Sequence, residues 1–171
     1  MTEGSSGIER VMVAALLDKH EAGDTFTTLP LHLTYVSWFN LPTEQRNTFH
    51  EYVQEVTELN RAPVVTGGSL QYFTKEGSRE RVPVRRLDVP TVGLHALNDF
   101  SPHAELMRFA QDIDPDFDDT YFGLNWRPHI SSTADREFAQ GEVAQLESLS
   151  VIRKDLKIGR KVVDRVYRWG I

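Results

Sequence analysis

LPLHLTYVSWF, residues Leu29 to Phe39, alternates like a strand yet carries a histidine and a hydroxyl on one side. Counting from His32, one set of alternate positions is His32, Thr34, Val36 and Trp38, and the other is Leu33, Tyr35, Ser37 and Phe39. A strand sends the two sets to opposite faces. An imidazole and a hydroxyl therefore stand side by side, as a buried polar pair in a sheet or as half of an active site.

Outward from this stretch the pattern is that of a mixed chain. Ile8 to Asp18 is an apolar run with the length of a buried strand. After the histidine strand, expected over residues 31–39, Thr43 reads as a helix N-cap followed by Glu44, Gln45 and Arg46. Phe49, Tyr52, Val53, Val56 and Leu59 then recur at helical spacing. His50 lies on this helix and is expected at or near its surface. Residues 62–78 and 79–89 read as a hairpin, its first strand broken at Gly67-Gly68 and followed by a turn around Glu76-Gly77, with Pro83 favouring an edge strand or a bulge. A short strand is expected over 91–100, with His95 in a structural role. A helix then starts at Ser101 and Pro102 with Leu106, Phe109 and Ala110 on its buried face, and His103 in its first turn is expected to be exposed. Arg127 to Asp135 reads as a short strand. Val143, Leu146, Leu149 and Val151 suggest one further strand, and Val163, Val166 and Trp169 mark the buried side of a last one.

Composition narrows the function classes. The chain has 171 residues, 40% apolar and 26% charged, enough for one domain with a real core built of two lobes. Residues 1–7 read as a flexible lead-in and residues 8–171 as the single domain. The absence of cysteine excludes disulfides, thiol nucleophiles and cysteine-ligated zinc, and fits a cytoplasmic location. No apolar run is long enough to span a membrane. The net charge of −6 argues against binding along extended duplex DNA but leaves room for a small anion in a locally positive pocket. Lys75 to Arg86 and Arg153 to Arg168 are basic and Glu105 to Asp119 acidic, as solvated surface or, for the basic segments, as the rim of an anion site. Asp112 to Asp119 does not fit an EF-hand, since its sixth and twelfth positions are Phe117 and Gly123, so a solvated acidic loop is expected. Glycine-rich phosphate loops and H-E-x-x-H zinc motifs are absent.

The second half of the chain repeats the opening feature. Among six histidines, two are followed at the second position by Ser or Thr: His32-Leu33-Thr34 and His129-Ile130-Ser131. Both middle residues are apolar, both tripeptides lie in strand-like segments, and both follow a proline, Pro30 or Pro128. If the two strands lie side by side across a pseudo-two-fold axis, two imidazoles and two hydroxyls converge on one cleft. One neutral imidazole can then remove a proton from an attacking oxygen while the other, protonated, delivers one to a leaving oxygen. The hydroxyls can donate to non-bridging phosphate oxygens as charge builds on them. Arg127 shares the strand parity of His129 and could add a fixed positive charge. Trp38 shares that of His32 and could stack on a nucleobase, as could Tyr121, Phe122 and Trp126. Each aromatic could equally be packing.

HLTY and HISS resemble the paired H-x-[ST]-x motifs of the 2H phosphoesterases, a family that includes 2′-5′ RNA ligase-like proteins and cyclic nucleotide phosphodiesterases. The resemblance runs from the strand at Arg10 to the strand ending near Asp155. It implies an α+β fold, bilobal and pseudo-two-fold, of two antiparallel sheets with helices on the outer faces and a central cleft. It implies that His32 and His129 are the acid–base pair and that Thr34 and Ser131 hold the phosphate, with no metal and no cofactor. Arg127 and Trp38 would contact the substrate. Expected partners are a small nucleotide, a cyclic oligonucleotide or an RNA end, handled by a monomer. Ser132 departs from the family, which usually has an apolar residue there. The alternative is a non-catalytic module that binds nucleotides or RNA ends in the same cleft.

Overall fold

The computed structural model describes residues 7–74, 79–88, 101–118 and 126–170. The strand expected over 91–100 with His95, the turn at Glu76-Gly77, and Tyr121 and Phe122 lie outside the described residues. The first strand, β1 (Ile8–Leu16), has both faces covered from Val11 to Leu16, as its unbroken apolar run requires. It pairs antiparallel with β3 (His32–Pro42) on one side and β8 (Ser148–Asp155) on the other. β9 (Arg160–Arg168) and the two-residue β2 (Thr25–Phe26) extend that half of the sheet. The other half consists of β6 (His129–Ser131), β5 (Arg81–Asp88), β4 (Val64–Thr74) and β7 (Val143–Gln145).

The halves are joined in one nine-stranded order, β2-β9-β8-β1-β3-β6-β5-β4-β7, where the sequence suggested two separate sheets. The joint is narrow: β3 and β6 share the single antiparallel pair Leu33↔Ile130. Both residues belong to the main core, which also takes in Phe49, Val53 and Val56 of α1 (Arg46–Glu58) and Leu106, Met107 and Ala110 of α2 (Ser101–Ile113). Both helices thus cover the same face of the sheet. The opposite face carries a smaller cluster, Met12, Ala14, Leu16, Ile152 and Val163.

Two bulges in β3 decide which side chains reach which face. Thr34 pairs with Ala14 and Phe39 with Val11, so β3 carries two residues more than β1 over this span. Val36, expected beside His32 and Thr34, is turned into the helix-side core with Leu33, Tyr35 and Phe39. The second extra residue restores the alternation, and Trp38 returns to the face of His32, packed against the smaller cluster.

Several local expectations are corrected. Thr43 begins a 3-10 turn, its hydroxyl donates to the Gly7 carbonyl at 2.8 Å, and Gln45 is the residue preceding α1. The expected strand around Leu146 is two strands, β7 and β8, that serve opposite halves of the sheet, so Val143 on β7 is left exposed. Pro83 sits on an internal strand. Its carbonyl accepts from Ser132 N–H, so its missing N–H faces the side where β6 has already ended. Asp114 is buried, not solvated, and accepts from the backbone N–H groups of Asn40 and Asp116.

Gly67 and Gly68 bulge β4 without breaking it. A Cβ on Gly67 would lie 2.1 Å from the Ala139 carbonyl oxygen. This close approach lets Gly67 N–H donate to Glu142 and its carbonyl accept from Gly141, tying the 139–142 turn to β4. Gly67→Ala is expected to cost about 1–3 kcal/mol by steric displacement, read as a melting temperature lowered by about 5 °C.

His50, expected near the surface, is buried. Its Nε2 lies 2.9 Å from Asp164 and its Nδ1 2.6 Å from the Tyr167 hydroxyl, while Arg46 bridges Asp164 and Glu9. This network pins α1 to β9. Burial would raise the Asp164 carboxyl, but the His50 hydrogen bond and the Arg46 guanidinium outweigh it and hold the group well below the usual carboxylate range. A depressed carboxyl stabilises the fold above its unfolded value, near pH 4, and loses that contribution as the pH falls further. Acid unfolding monitored by circular dichroism is expected to begin in this range, and Asp164→Asn to flatten that limb while lowering stability at pH 7.

Candidate active site

The Leu33↔Ile130 pair places the two tripeptides face to face. Carried one residue each way along antiparallel strands, it sets His32 opposite Ser131 and Thr34 opposite His129. Leu33 and Ile130 point into the helix-side core, so all four polar side chains stand on the opposite face. The pairings Ala14↔Thr34 and Leu16↔His32 agree, because Ala14 and Leu16 line the smaller cluster on that face.

Both imidazoles are held in the same way. His32 Nδ1 lies 2.8 Å from the carbonyl of Pro30, and His129 Nδ1 lies 2.8 Å from the carbonyl of Arg127. A carbonyl only accepts, so each Nδ1 carries a proton, and in the neutral ring Nε2 is left with its lone pair. Proline fixes each approach: Pro30 supplies one carbonyl itself, and Pro128 restricts Arg127 to extended backbone.

Burial lowers the His32 imidazole below its ordinary value of 6.5, the Pro30 carbonyl raises it in part, and His129 lowers it further by charge repulsion. Burial likewise lowers His129, offset in part by the Arg127 carbonyl and reinforced by the Arg86 charge. The two histidines are therefore within electrostatic reach of one another.

Beside His129 the strands diverge. β3 runs on to Pro42 while β6 begins at His129, and the wedge between them forms a cavity of about 240 Å³. Thr34, Phe73, Trp126, Arg127, His129 and Asp118 are among its lining residues. Phe73 meets the His129 ring edge-on at a centroid distance of 4.6 Å. Trp126 stacks on His103 at 3.9 Å, nearly parallel. His103, expected to be exposed, is buried with its Nδ1 2.7 Å from the Tyr35 carbonyl, and it forms part of the cavity wall. Among the described residues no group of three or more histidine or carboxylate side chains is arranged to hold a metal.

Of the residues singled out from sequence, His32, Thr34, His129 and Ser131 come together, and exposed Arg127 lines the adjoining cavity. Trp38 shares their face but sits apart from the cavity, with the Lys154 ammonium 4.6 Å over its ring. Arg86 and Phe73 were missed. Arg86 is the direct cross-strand neighbour of His129, and its only forewarning was the basic character of Lys75 to Arg86. Phe73 gave no signal, because it lies on β4 and meets the His129 ring of β6 only once the sheet is assembled with β5 between them.

Groups with depressed imidazole pKa values stabilise the fold fully above their unfolded value and lose that contribution as the pH falls. NMR titration of the ring protons is expected to give His32 and His129 midpoints below 6.5, with both rings neutral at pH 7 and in the Nδ1–H form.

No family model matches this sequence, and no curated protein matches it significantly. Solved structures do match. LigT of E. coli complexed with 3′-AMP is 13% identical, with a TM-score of 0.60 over 96% of this chain and 100% of that one. The ATP complex of LigT has a TM-score of 0.63, at 13% identity over 97% and 100%. TT0787 of Thermus thermophilus is 17% identical, with a TM-score of 0.59 over 93% and 97%. At these identities the likeness establishes the fold: this chain has the fold of LigT and of TT0787.

Proposed function

We propose that this protein is a two-histidine phosphodiesterase that hydrolyses a cyclic phosphate or a 2′-5′ linkage in a nucleotide, oligonucleotide or RNA end. The observation that carries this reading is the Leu33↔Ile130 pairing, which brings two His-x-hydroxyl tripeptides together with matched Nδ1 hydrogen bonds. The solved complexes of LigT with 3′-AMP, phosphate and ATP support a nucleotide ligand.

The reaction needs one proton taken and one given. The neutral imidazole accepts a proton from water through Nε2 as the water oxygen bonds to phosphorus. The protonated imidazole donates its Nε2 proton to the ribose oxygen as the P–O bond to that oxygen breaks. Thr34 and Ser131, between the two rings, donate to the non-bridging oxygens, and Arg127 adds fixed positive charge. No step calls on a metal. The near symmetry of the two histidines lets either serve as base. The aromatic cavity beside His129 takes the nucleobase, with Phe73 and Trp126 as its apolar walls. This assigns the base contact to them and not to Trp38, whose ring is covered by Lys154. The protein acts as a cytoplasmic monomer in this reading.

The test offers 2′,3′-cyclic nucleotides, 2′-5′ dinucleotides and cyclic oligonucleotides in EDTA. The wild type is expected to turn over at least one, with His32→Ala and His129→Ala each losing about 10²–10⁴-fold in kcat. Thr34→Ala and Ser131→Ala are expected to lose about 10–100-fold, the worth of a hydrogen bond to a charged group. Both histidines titrate below 6.5 in the free protein, so the bell-shaped kcat/KM profile is expected to peak below pH 6.5. A bound phosphate anion raises both, so the kcat profile is expected to lie to the alkaline side. Binding without turnover would select the non-catalytic module. Activity unchanged in both histidine variants, or a strict metal requirement, would reject the mechanism.

A further inference from the structure

Arg85 and Arg86 are consecutive residues on β5 with opposite surroundings. Arg85 pairs with Ile130 and is buried on the helix side, where each guanidinium nitrogen donates to the protein: Nε to Phe138 O at 2.9 Å, Nη1 to Gly68 O at 3.2 Å, and Nη2 to Glu137. Arg86 points the other way, onto the face of the histidines, directly across from His129. Directly paired residues on neighbouring strands have Cβ atoms about 4.5–5.5 Å apart.

Arg86 is not used by the fold as Arg85 is. Its Nη1 reaches Gln71 Oε1 at 3.4 Å, the long limit of a hydrogen bond. Its Nε is buried without a partner. None of the ion pairs among the described residues involves it, in a chain with 25 acidic and 19 basic side chains. A half-buried cation with an unpaired donor is costly unless something else completes it. The other charged or titratable groups around His129 are His32, Arg127 and, on the cavity wall, Asp118. Asp118 carries negative charge on the cavity wall and Asp88, two positions from Arg86, carries it on β5; among the described residues Arg86 forms an ion pair with neither.

We infer that Arg86 is a phosphate-binding residue of this cleft, its guanidinium engaging a non-bridging oxygen of a phosphoryl group held beside His129. For turnover this rests on the phosphodiesterase reading; for anion binding it stands on the geometry of Arg86 alone. Arg86 comes from a strand outside both histidine motifs, so β5 contributes directly to the site. A planar guanidinium can present two donors to one phosphate, which the hydroxyls of Thr34 and Ser131 cannot do singly.

The experiment measures inorganic phosphate binding by calorimetry at pH 6, together with ring-proton titration of His129, in wild type, Arg86→Gln and Arg86→Lys. Arg168→Gln, on the far strand β9, serves as control. Arg86→Gln is expected to weaken phosphate at least tenfold and to raise the His129 midpoint in phosphate-free buffer. Arg86→Lys is expected to keep the midpoint low while recovering only part of the affinity, because charge is retained and the fork is lost. Arg168→Gln is expected to change neither. Thermal melts check the fold; should the glutamine variant unfold, the lysine variant still separates the accounts, since a packing role leaves its phosphate affinity at the wild-type value. Wild-type phosphate affinity in Arg86→Gln, or no phosphate binding by the wild type, would overturn the inference. If the wild type turns over nucleotide substrates and Arg86→Gln matches it in KM and kcat, the phosphodiesterase reading survives and Arg86 does not belong to it. If no substrate is turned over but phosphate binding still depends on Arg86, the reverse holds.

Discussion

Everything in the cleft depends on one pair of apolar side chains. Leu33 and Ile130 are the sole register pair between β3 and β6, and they join the two halves of a nine-stranded sheet. Both are almost fully removed from water, and each contributes roughly 1.5–3 kcal/mol by burial. Their inward direction fixes the outward direction of His32, Thr34, His129 and Ser131. A slip of one residue would send one histidine and one hydroxyl into the helix-side core. The hydrophobic effect on one face therefore sets the register of the polar chemistry on the other.

The narrowness of that joint has a second consequence. Because β3 and β6 part after one pair, the sheet opens into a wedge beside His129, and α2 closes its floor with His103 and Met107. A longer β3–β6 ladder would fill this space with backbone. The site thus combines a polar row on the open face with an aromatic-lined cavity next to it, a combination suited to a ligand with an anionic group and a flat apolar ring. Asp118 and Arg127 at the cavity wall give it both signs of charge. The acidic balance of the whole chain is reversed locally, where Arg86 and Arg127 flank His129.

Much of this was legible in the chain itself because it follows from strand alternation. The parity of His32 with Thr34 and of His129 with Ser131 survives folding, and so does the packed direction of Leu33 and Tyr35. What was hidden came from non-local events. Bulges in β3 turned Val36 inward, and no local signal marks them, since the extra residues are ordinary ones. The burial of His50 depends on Asp164 and Tyr167, more than a hundred residues away. His103 was misjudged because its first-turn position says nothing of Trp126, which arrives from another part of the chain to stack on it. Arg86 was hidden within a basic segment in which only register separates a structural arginine from one facing the cleft.

The central claim is that both motifs serve one phosphate. A crystal structure of the protein with inorganic phosphate tests it most directly. A single phosphate is expected between the strands, with Nε2 of both His32 and His129 and the hydroxyls of Thr34 and Ser131 within hydrogen-bonding distance of its oxygens. A phosphate bound elsewhere, or one reached by only one of the two histidines, would contradict it.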